Sequence, residues 1–189
     1  MTITATDLTT LTGDYTLDTA HSRVGFLARH AMVTKVRGLF TEFDGHIHID
    51  GSDPARSNAE VTIQVASVDS QQPDRDKHLR SADFFDVENH PTITFKSTKA
   101  ELLDEGTYRL TGDLTIRGVT HPVAIDLEFT GATNDPWGLF RVGFEGAVVV
   151  NRRDWGLGWN MPLDTGGLLV SEKITIELDI AAVRPVAAG

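Results

Sequence analysis

Three polar residues near the start of the chain have the side-chain types of a hydrolase triad: Asp18, His21 and Ser22. Such a triad needs a nucleophilic serine on a strained turn, a histidine base and a separate oxyanion hole. Ser22 is not flanked by the G-x-S-x-G pattern of such a turn. We therefore interpret these residues as hydrogen-bonding groups at a strand end and expect no triad chemistry.

Two histidines, His46 and His48, are spaced so that they share one face of a strand, with Asp44 and Asp50 beside them. Imidazole and carboxylate groups in this arrangement can bind a metal such as zinc. The same alternation places Phe43 and its apolar neighbours on the opposite face. We interpret the histidine face as the solvated outside of the sheet and expect neither a metal ion nor a cofactor.

A third group of chemically capable side chains lies in residues 73–80, where acidic residues come early and basic residues late. This charge order is typical of a short helix, because it complements the helix dipole. Arg75, Asp76 and His78 either contact a polar head group or tie the helix to the rest of the fold. Acid–base work by His30 or by Asp76 and His78 is a further alternative, but the sequence assembles no nucleophile or oxyanion donor around them.

The elements that position these residues are strands, because apolar and polar residues alternate with a period of two through most of the chain. The final strand is predicted from about Leu168 to Ala181. One short helix cannot cover the apolar face of a long sheet, whereas closure into a barrel does so and removes the sheet edges. We predict an all-β fold, an elongated antiparallel barrel of about eight strands.

The barrel interior is predicted to be rich in phenylalanine and is either hollow or filled by its own side chains. Gly38, Gly112 and Gly146 fall on inward positions, where they leave space or mark bulges. A Gly-rich stretch over 151–167 predicts a long loop at one mouth of the barrel. We interpret Arg152 and Arg153 in this loop as solvated charges, with a gating or dimer contact as the alternative.

Composition excludes several functional classes. The formal net charge of −10 at pH 7 argues against a nucleic-acid partner. Outward charges such as Arg109 and Lys173 argue against a membrane-spanning barrel, since each would cost about 2–4 kcal/mol at the midplane. Residues 1–13 carry neither the positive charge nor the apolar run of a secretion signal, and the chain has no cysteine. We expect a cytoplasmic protein.

Several distinctive motifs occur in order along the chain, among them 15–18, 75–86, 112–120 and 153–157. Together they resemble those of the YceI-like family, described as polyisoprenoid-binding proteins with a lipocalin-like fold. The resemblance implies a barrel whose pore holds an isoprenoid or a similar long amphiphile, such as an isoprenoid quinone or a fatty amide, often in a homodimer. The chain departs from the family at Tyr15, where tryptophan is common, and in lacking the secretion signal of many relatives.

The sequence therefore predicts one lipid-binding barrel domain over 14–182, between a flexible N-terminal segment 1–13 and a C-terminal tail 183–189. Its predicted function is non-catalytic binding of a long-chain lipid for storage, transport or shielding; the alternative is an enzyme that acts on an isoprenoid lipid inside the barrel. The residues predicted to bind the ligand are Phe26, His30, Phe40, Phe43, Arg75, Asp76, His78, Leu79, Phe84, Phe85, Phe95, Leu114, Phe144, Trp155 and Trp159.

Overall fold

The computed structural model describes residues 7–186, in which eleven strand segments form eight long strands. The strands are β1 (Gly13–Leu17 and Arg23–His30), β2 (Thr34–Phe40 and Phe43–Ile49), β3 (Asn58–Gln64 and Val68–Asp69), β4 (Thr92–Asp104), β5 (Thr107–Ile116), β6 (Val119–Asn134), β7 (Leu139–Asn151) and β8 (Lys173–Pro185). Short breaks divide the first three strands, so that each bends while keeping its place in the sheet.

Each strand pairs antiparallel with the next one along the chain. The sheet closes because β8 pairs with both segments of β1, through Thr16↔Val183 in one segment and Phe26↔Ile176 in the other. The prediction of a closed eight-stranded antiparallel barrel is confirmed. Closure satisfies the backbone hydrogen bonds that an open sheet would leave at its edges.

Helical segments lie at the two ends of this barrel. The predicted helix is confirmed as α1 (Pro73–Arg80), which begins with a proline in its first turn and with Gln72 accepting a hydrogen bond from the Arg75 N–H. The 3-10 helices are Leu8–Leu11, Pro54–Arg56, Val65–Ser67 and Arg152–Trp155. None of the helices in residues 7–186 has the length and apolar character needed to cross a membrane.

We call the two ends of the barrel the helical end and the hairpin end. The helical end comprises α1, the 3-10 helix Arg152–Trp155 and the loop 156–172. The hairpin end comprises the turns after β2, β4 and β6 together with the 3-10 helix Leu8–Leu11. Residues on both sides of the predicted 14–182 boundaries belong to the packed barrel: Leu11 is buried, and β8 continues to Pro185. Residues 1–6 and 187–189, which complete the predicted terminal segments, lie outside the described part.

Alternation along β8 follows the sequence prediction, although the strand begins later and ends later than expected. Ile174, Ile176, Leu178 and Ile180 line the interior, while Lys173 and Asp179 are exposed. The stretch 168–172 belongs instead to the loop at the helical end, where Val170 makes an isolated bridge to His30. The apolar period therefore predicts which face is buried, but it does not locate the strand ends.

Candidate functional site

An apolar cavity of about 290 Å³ lies inside the barrel. Its lining extends from Leu11 and Tyr108 at the hairpin end to Leu79 and Trp155 at the helical end. Along β8 the lining runs from Ile174 to Ile180, which is six residue steps and roughly 20 Å at about 3.3 Å per residue. This volume is at the lower edge of the roughly 300–1,000 Å³ typical of small-molecule sites. The interior is hollow and narrow, and its shape suits a slender apolar chain.

Nine of the residues predicted to bind a ligand line this cavity. They are Phe26, Phe40, Leu79, Phe84, Phe85, Phe95, Leu114, Phe144 and Trp155. Many aliphatic side chains that alternation places inward complete the lining but were not in the predicted site, among them Leu110, Ile116, Ile125, Leu127 and Leu178. The signal for them was present in the period-two pattern, since every inward residue of a hollow barrel faces the cavity.

Two inward glycines keep the cavity open in an indirect way. A Cβ on Gly38 would overlap the ring of Phe26, and a Cβ on Gly112 would overlap the ring of Phe95. Phe26 and Gly38 are directly paired across β1 and β2. The space left by each glycine is therefore occupied by a phenyl ring that lies against the barrel wall and does not project across the lumen.

Arg75 and Asp76 do not line the cavity. The buried Asp76 carboxylate accepts hydrogen bonds from the backbone N–H and the hydroxyl of Ser70, at 2.8 and 2.5 Å. Arg75 donates through Nε to the same hydroxyl, at 2.7 Å. This network attaches α1 to the segment that follows β3, as the anchoring interpretation of these residues predicts.

His78 and Trp159 also lie outside the cavity lining, in a layer over Phe84. The His78 ring is 4.5 Å from the Trp159 ring and 5.0 Å from the Phe84 ring, both edge to face. Its Nε2 is 2.8 Å from an Asp83 carboxylate oxygen. Phe84 reaches the lumen from beneath these rings, so His78 and Trp159 support the lining at the helical end.

The remaining two predicted residues are placed elsewhere. His30 is exposed at the end of β1, where it pairs with Thr34 beyond the closed part of the barrel. Phe43 directly follows the break in β2 and is buried beside Ile63, but it is not part of the cavity lining. The strand end at His30 and the break before Phe43 place these two residues away from the lumen, although their neighbours Phe26 and Ile47 line it.

Arg152 overturns the interpretation of both loop arginines as solvated charges. Its side chain lines the cavity and the residue is only 6% exposed, whereas Arg153 is exposed and pairs with Glu172 at 2.7 Å. Nε of Arg152 donates to the Ser171 carbonyl at 2.9 Å, and its terminal nitrogens donate to the Leu157 and Val170 carbonyls. Burial lowers the pKa of this guanidinium. No spacing signal distinguishes the two neighbours in the sequence.

Trp155 closes a gap between β6 and β7 at the helical end. These strands pair only from Phe140↔Asn134 to Ala147↔Asp126, and beyond that point β6 pairs with β5 and β7 with β8. A second cavity of about 380 Å³ lies in the gap and shares Trp155 with the lumen. The indole Nε1 donates to the Leu114 carbonyl at 2.9 Å, and the ring packs against His121.

The residues with the side-chain types of a triad do not assemble one. The Ser22 hydroxyl donates to the Ala181 carbonyl at 3.0 Å and accepts from the Ala181 N–H at 2.9 Å, so it is committed to β8. The exposed His21 bonds Asp18 at 2.8 Å, and Asp18 also pairs with Arg141. Burial opposes ionisation of Asp18, but hydrogen bonds from Arg141 and His21 lower its pKa overall. These are strand-end hydrogen bonds, as predicted.

His46 lies on the outside of β2, as predicted, whereas His48 is partly buried and is among the residues that line the cavity. His46 is exposed, and Nδ1 of His48 is 2.7 Å from an Asp14 carboxylate oxygen on the neighbouring strand β1. At the hairpin end of the lumen, burial raises the pKa of Tyr108, so its hydroxyl is neutral at pH 7.

Comparison with known protein families places this geometry in context. A family model described as "YceI-like domain" matches residues 15–182. A "UPF0312 protein" of Ectopseudomonas mendocina is 40% identical over 176 residues, covering 92% of this chain and 89% of that protein. A "UPF0312 protein" of Azotobacter vinelandii is 41% identical over 176 residues, covering 92% and 88%.

Solved structures share the fold. The crystal structure of Burkholderia cenocepacia BcnA superposes with a TM-score of 0.77 at 24% identity, covering 87% of this chain and 98% of that one. The Campylobacter jejuni YCEI protein gives 0.72 at 27% identity, covering 82% and 89%. A Saccharophagus degradans domain described as polyisoprenoid binding gives 0.66 at 16% identity, covering 90% and 98%.

Proposed function

The chain belongs to the family of YceI-like domains, and we propose that it binds the apolar chain of a lipid along its lumen without altering it chemically. The ligand is a long-chain amphiphile of the polyisoprenoid kind, held for storage, transport or shielding. The observation that carries this proposal is the continuous apolar lining between the two ends of the barrel.

The physical driving force is burial of hydrocarbon. Each CH₂ group removed from water contributes about 0.8 kcal/mol, so a chain of roughly ten carbons contributes about 8 kcal/mol. A narrow tube that encloses a chain on all sides recovers most of this free energy with few polar contacts. The description of the Saccharophagus degradans domain as polyisoprenoid binding supports the same ligand class.

Mass spectrometry of the purified protein tests the proposal directly. We expect native spectra to show the chain with one bound mass, and organic extracts of the same sample to contain a long-chain lipid in a stoichiometric amount. Repeated preparations with no bound lipid, combined with failure to bind added polyprenyl alcohols, would contradict the proposal.

A lumen variant provides a sharper test. In Gly38→Ala the new methyl group would overlap the Phe26 ring, and we expect the ring to move from the barrel wall into the lumen. The result should be less co-purified lipid and weaker binding of a fluorescent polyene fatty acid. The matched control is Gly158→Ala, because a Cβ at Gly158 meets no atom within 4 Å. Replacing Phe26 by leucine in the Gly38→Ala chain should restore binding. Equal binding by all variants would contradict a ligand in the lumen.

Whether the protein alters the lipid chemically is tested on the same ligand. Neither Ser22 nor His30, two candidates for reactive groups, lines the cavity among the described residues. We expect a bound polyprenyl lipid to be recovered with unchanged mass after prolonged incubation. A product that disappears in a His30→Ala or His78→Ala variant would favour the enzyme alternative.

A homodimer and a cytoplasmic location are part of the same proposal. The homodimer is expected from the family resemblance, and the location from the lack of cysteine, which fits a reducing compartment. Light scattering after size-exclusion chromatography tests the first, with twice the chain mass of 20.6 kDa expected. Fractionation of cells that express the untagged chain tests the second.

A further inference from the structure

Arg152 is a buried cation that forms no ion pair with a carboxylate of residues 7–186. In the described part of the chain, the fully buried polar or charged residues are Ser70, Asp76 and Arg152. Asp76 is bonded to Ser70 in the network that holds α1. The neighbouring Glu172 carboxylate is paired with Arg153 at 2.7 Å. Burial lowers the pKa of Arg152 and the Glu172 charge opposes this from a longer distance, but Glu172 lies outside ion-pair distance of that guanidinium. A buried charge is normally compensated by a partner of opposite sign.

The Arg152 guanidinium also has N–H groups that make no hydrogen bond to the protein. An arginine side chain carries five N–H groups in a planar fork. Three bonds lead to the carbonyls of Leu157, Val170 and Ser171, which leaves two N–H groups, one on each terminal nitrogen. The Val170 bond is long at 3.4 Å, and that carbonyl has a second donor in Asn160 at 2.7 Å. The guanidinium therefore keeps hydrogen-bonding capacity that the protein itself does not use.

The position of this fork is at one end of the lumen. Arg152 lines the cavity with Trp155 and Phe84, and its guanidinium carbon lies 5.8 Å from the centre of the Phe84 ring. The other arginine of the lining, Arg109, is exposed and makes a two-bond pair with Asp126 at 2.7 and 2.8 Å. Arg152 thus provides the unpaired buried charge of the lining, and it does so at the helical end.

We propose that Arg152 forms a head-group subsite for an anionic oxygen group, a carboxylate or a phosphate, at the end of the lipid chain in the lumen. The head group lies at the helical end and the chain extends toward Tyr108 at the hairpin end. This inference rests on the proposed lipid-binding function and names the class of ligand that the lumen selects. The planar fork matches two oxygens of such a group, and the bound anion supplies the missing counter-charge.

Three probes with the same C20 polyprenyl chain test the subsite: geranylgeranoic acid, geranylgeranyl monophosphate and geranylgeraniol. Charge-assisted hydrogen bonds to a buried cation favour the anionic probes, and we expect the delipidated wild-type chain to bind them about 10- to 100-fold more tightly than the alcohol. Displacement of a fluorescent lipid at fixed ionic strength gives the three dissociation constants. Equal affinity for acid, phosphate and alcohol would overturn the subsite while leaving the lumen intact.

Variants locate the preference. Arg152→Gln should lose the preference for the anionic probes over the alcohol, whereas Arg152→Lys should retain part of it. Arg153→Gln is the matched control, because Arg153 is the adjacent arginine but is exposed and paired with Glu172. A preference that survives in Arg152→Gln, or that is lost in Arg153→Gln, would overturn the assignment.

A measurement on the wild-type chain covers the case in which the Arg152 variants do not fold. The Nε–H resonance of a buried arginine is observable in ¹⁵N spectra, and that of Arg152 should shift when geranylgeranoic acid is added but not when geranylgeraniol is added. An unchanged resonance in the acid-saturated protein would overturn the subsite. Failure of all three probes to bind would instead count against the lipid-binding function itself, so the two outcomes are distinguishable.

Discussion

Arginine packs against aromatic rings at both ends of the barrel, with opposite consequences. At the hairpin end, the Arg184 guanidinium lies 4.6 Å from the Phe140 ring centre and 5.5 Å from that of Tyr15. Its nitrogens donate to the Tyr15 hydroxyl and the Thr10 carbonyl, at 3.1 Å each. At the helical end, Arg152 lies over Phe84 and lines the lumen.

The difference between the two arginines lies in what surrounds them. Arg184 is only half-buried and lies outside the lumen lining, and it braces Tyr15, whose hydroxyl donates to the Leu11 carbonyl at 2.6 Å. This packing holds the 3-10 helix Leu8–Leu11 across the hairpin end. Arg152 is buried and has two N–H groups that make no hydrogen bond to the protein. The same pair of residue types therefore closes one end and leaves a polar binding position at the other.

The largest loss of stability is expected from removing the Tyr15 side chain, which fills the packing at the hairpin end. Tyr15 is 2% exposed, so Tyr15→Ala leaves a cavity and should cost about 3–5 kcal/mol of unfolding free energy in urea titrations. Tyr15→Phe, the matched control, keeps the ring and loses the hydroxyl bonds, at about 1–2 kcal/mol. A loss below 1 kcal/mol for Tyr15→Ala would show that this end is not a packed closure.

An exchange of each arginine for methionine compares the two ends directly. Arg152→Met leaves the Leu157 and Ser171 carbonyls without their donor and should cost about 2–3 kcal/mol, whereas Arg184→Met should cost about 1 kcal/mol. Limited proteolysis should show faster cleavage within 156–172 in Arg152→Met alone. Equal losses in the two variants would contradict the distinction between the ends.

A smaller loss of stability is expected at the gap between β6 and β7, which Trp155 closes at the helical end. Trp155→Phe removes the hydrogen bond to the Leu114 carbonyl while preserving most of the buried ring, and should cost about 1–2 kcal/mol. Amide hydrogen exchange should accelerate in the residues of β6 and β7 that flank the gap. Exchange that accelerates equally at the hairpin end would indicate global destabilisation and not a local opening.

The smallest effect on stability is expected in acid, through Asp18 in the break between the two segments of β1. Because its pKa is lowered in the folded chain from the ordinary 3.8, its contribution to stability is fully present above about pH 4. It is lost as the pH falls through the folded pKa. Asp18→Asn should therefore lower the free energy of unfolding at pH 7 by about 1 kcal/mol, seen as a lower Tm. The difference from wild type should vanish toward pH 2.

A difference in stability between wild type and Asp18→Asn that stays constant across this pH range would contradict a stabilising role of the Asp18 carboxylate charge. His21→Ala serves as a control, because it removes the exposed partner of Asp18 and leaves the Arg141 pair. We expect it to retain most of the pH-dependent difference.

The sequence by itself determined the barrel and the chemical character of its lumen. Alternation assigned Ile176 and Leu178 to the interior and Lys173 to the exterior, and a sheet with one apolar face must close when no helical layer covers it. The acidic-to-basic order of residues 73–80 likewise located α1. These features are local or depend on burial alone, so they can be derived without knowing the chain path.

The tertiary structure alone decided what happens at the ends. Strand breaks and loop paths determine whether a side chain at the limit of a strand reaches the lumen, which is why Phe40 lines it and Phe43 does not. Arg152 and Arg153 are indistinguishable by type and spacing, yet one is buried and the other exposed. Their difference arises from the fold of the loop 156–172, whose carbonyls enclose a single guanidinium, and contacts of that kind leave no period in the sequence.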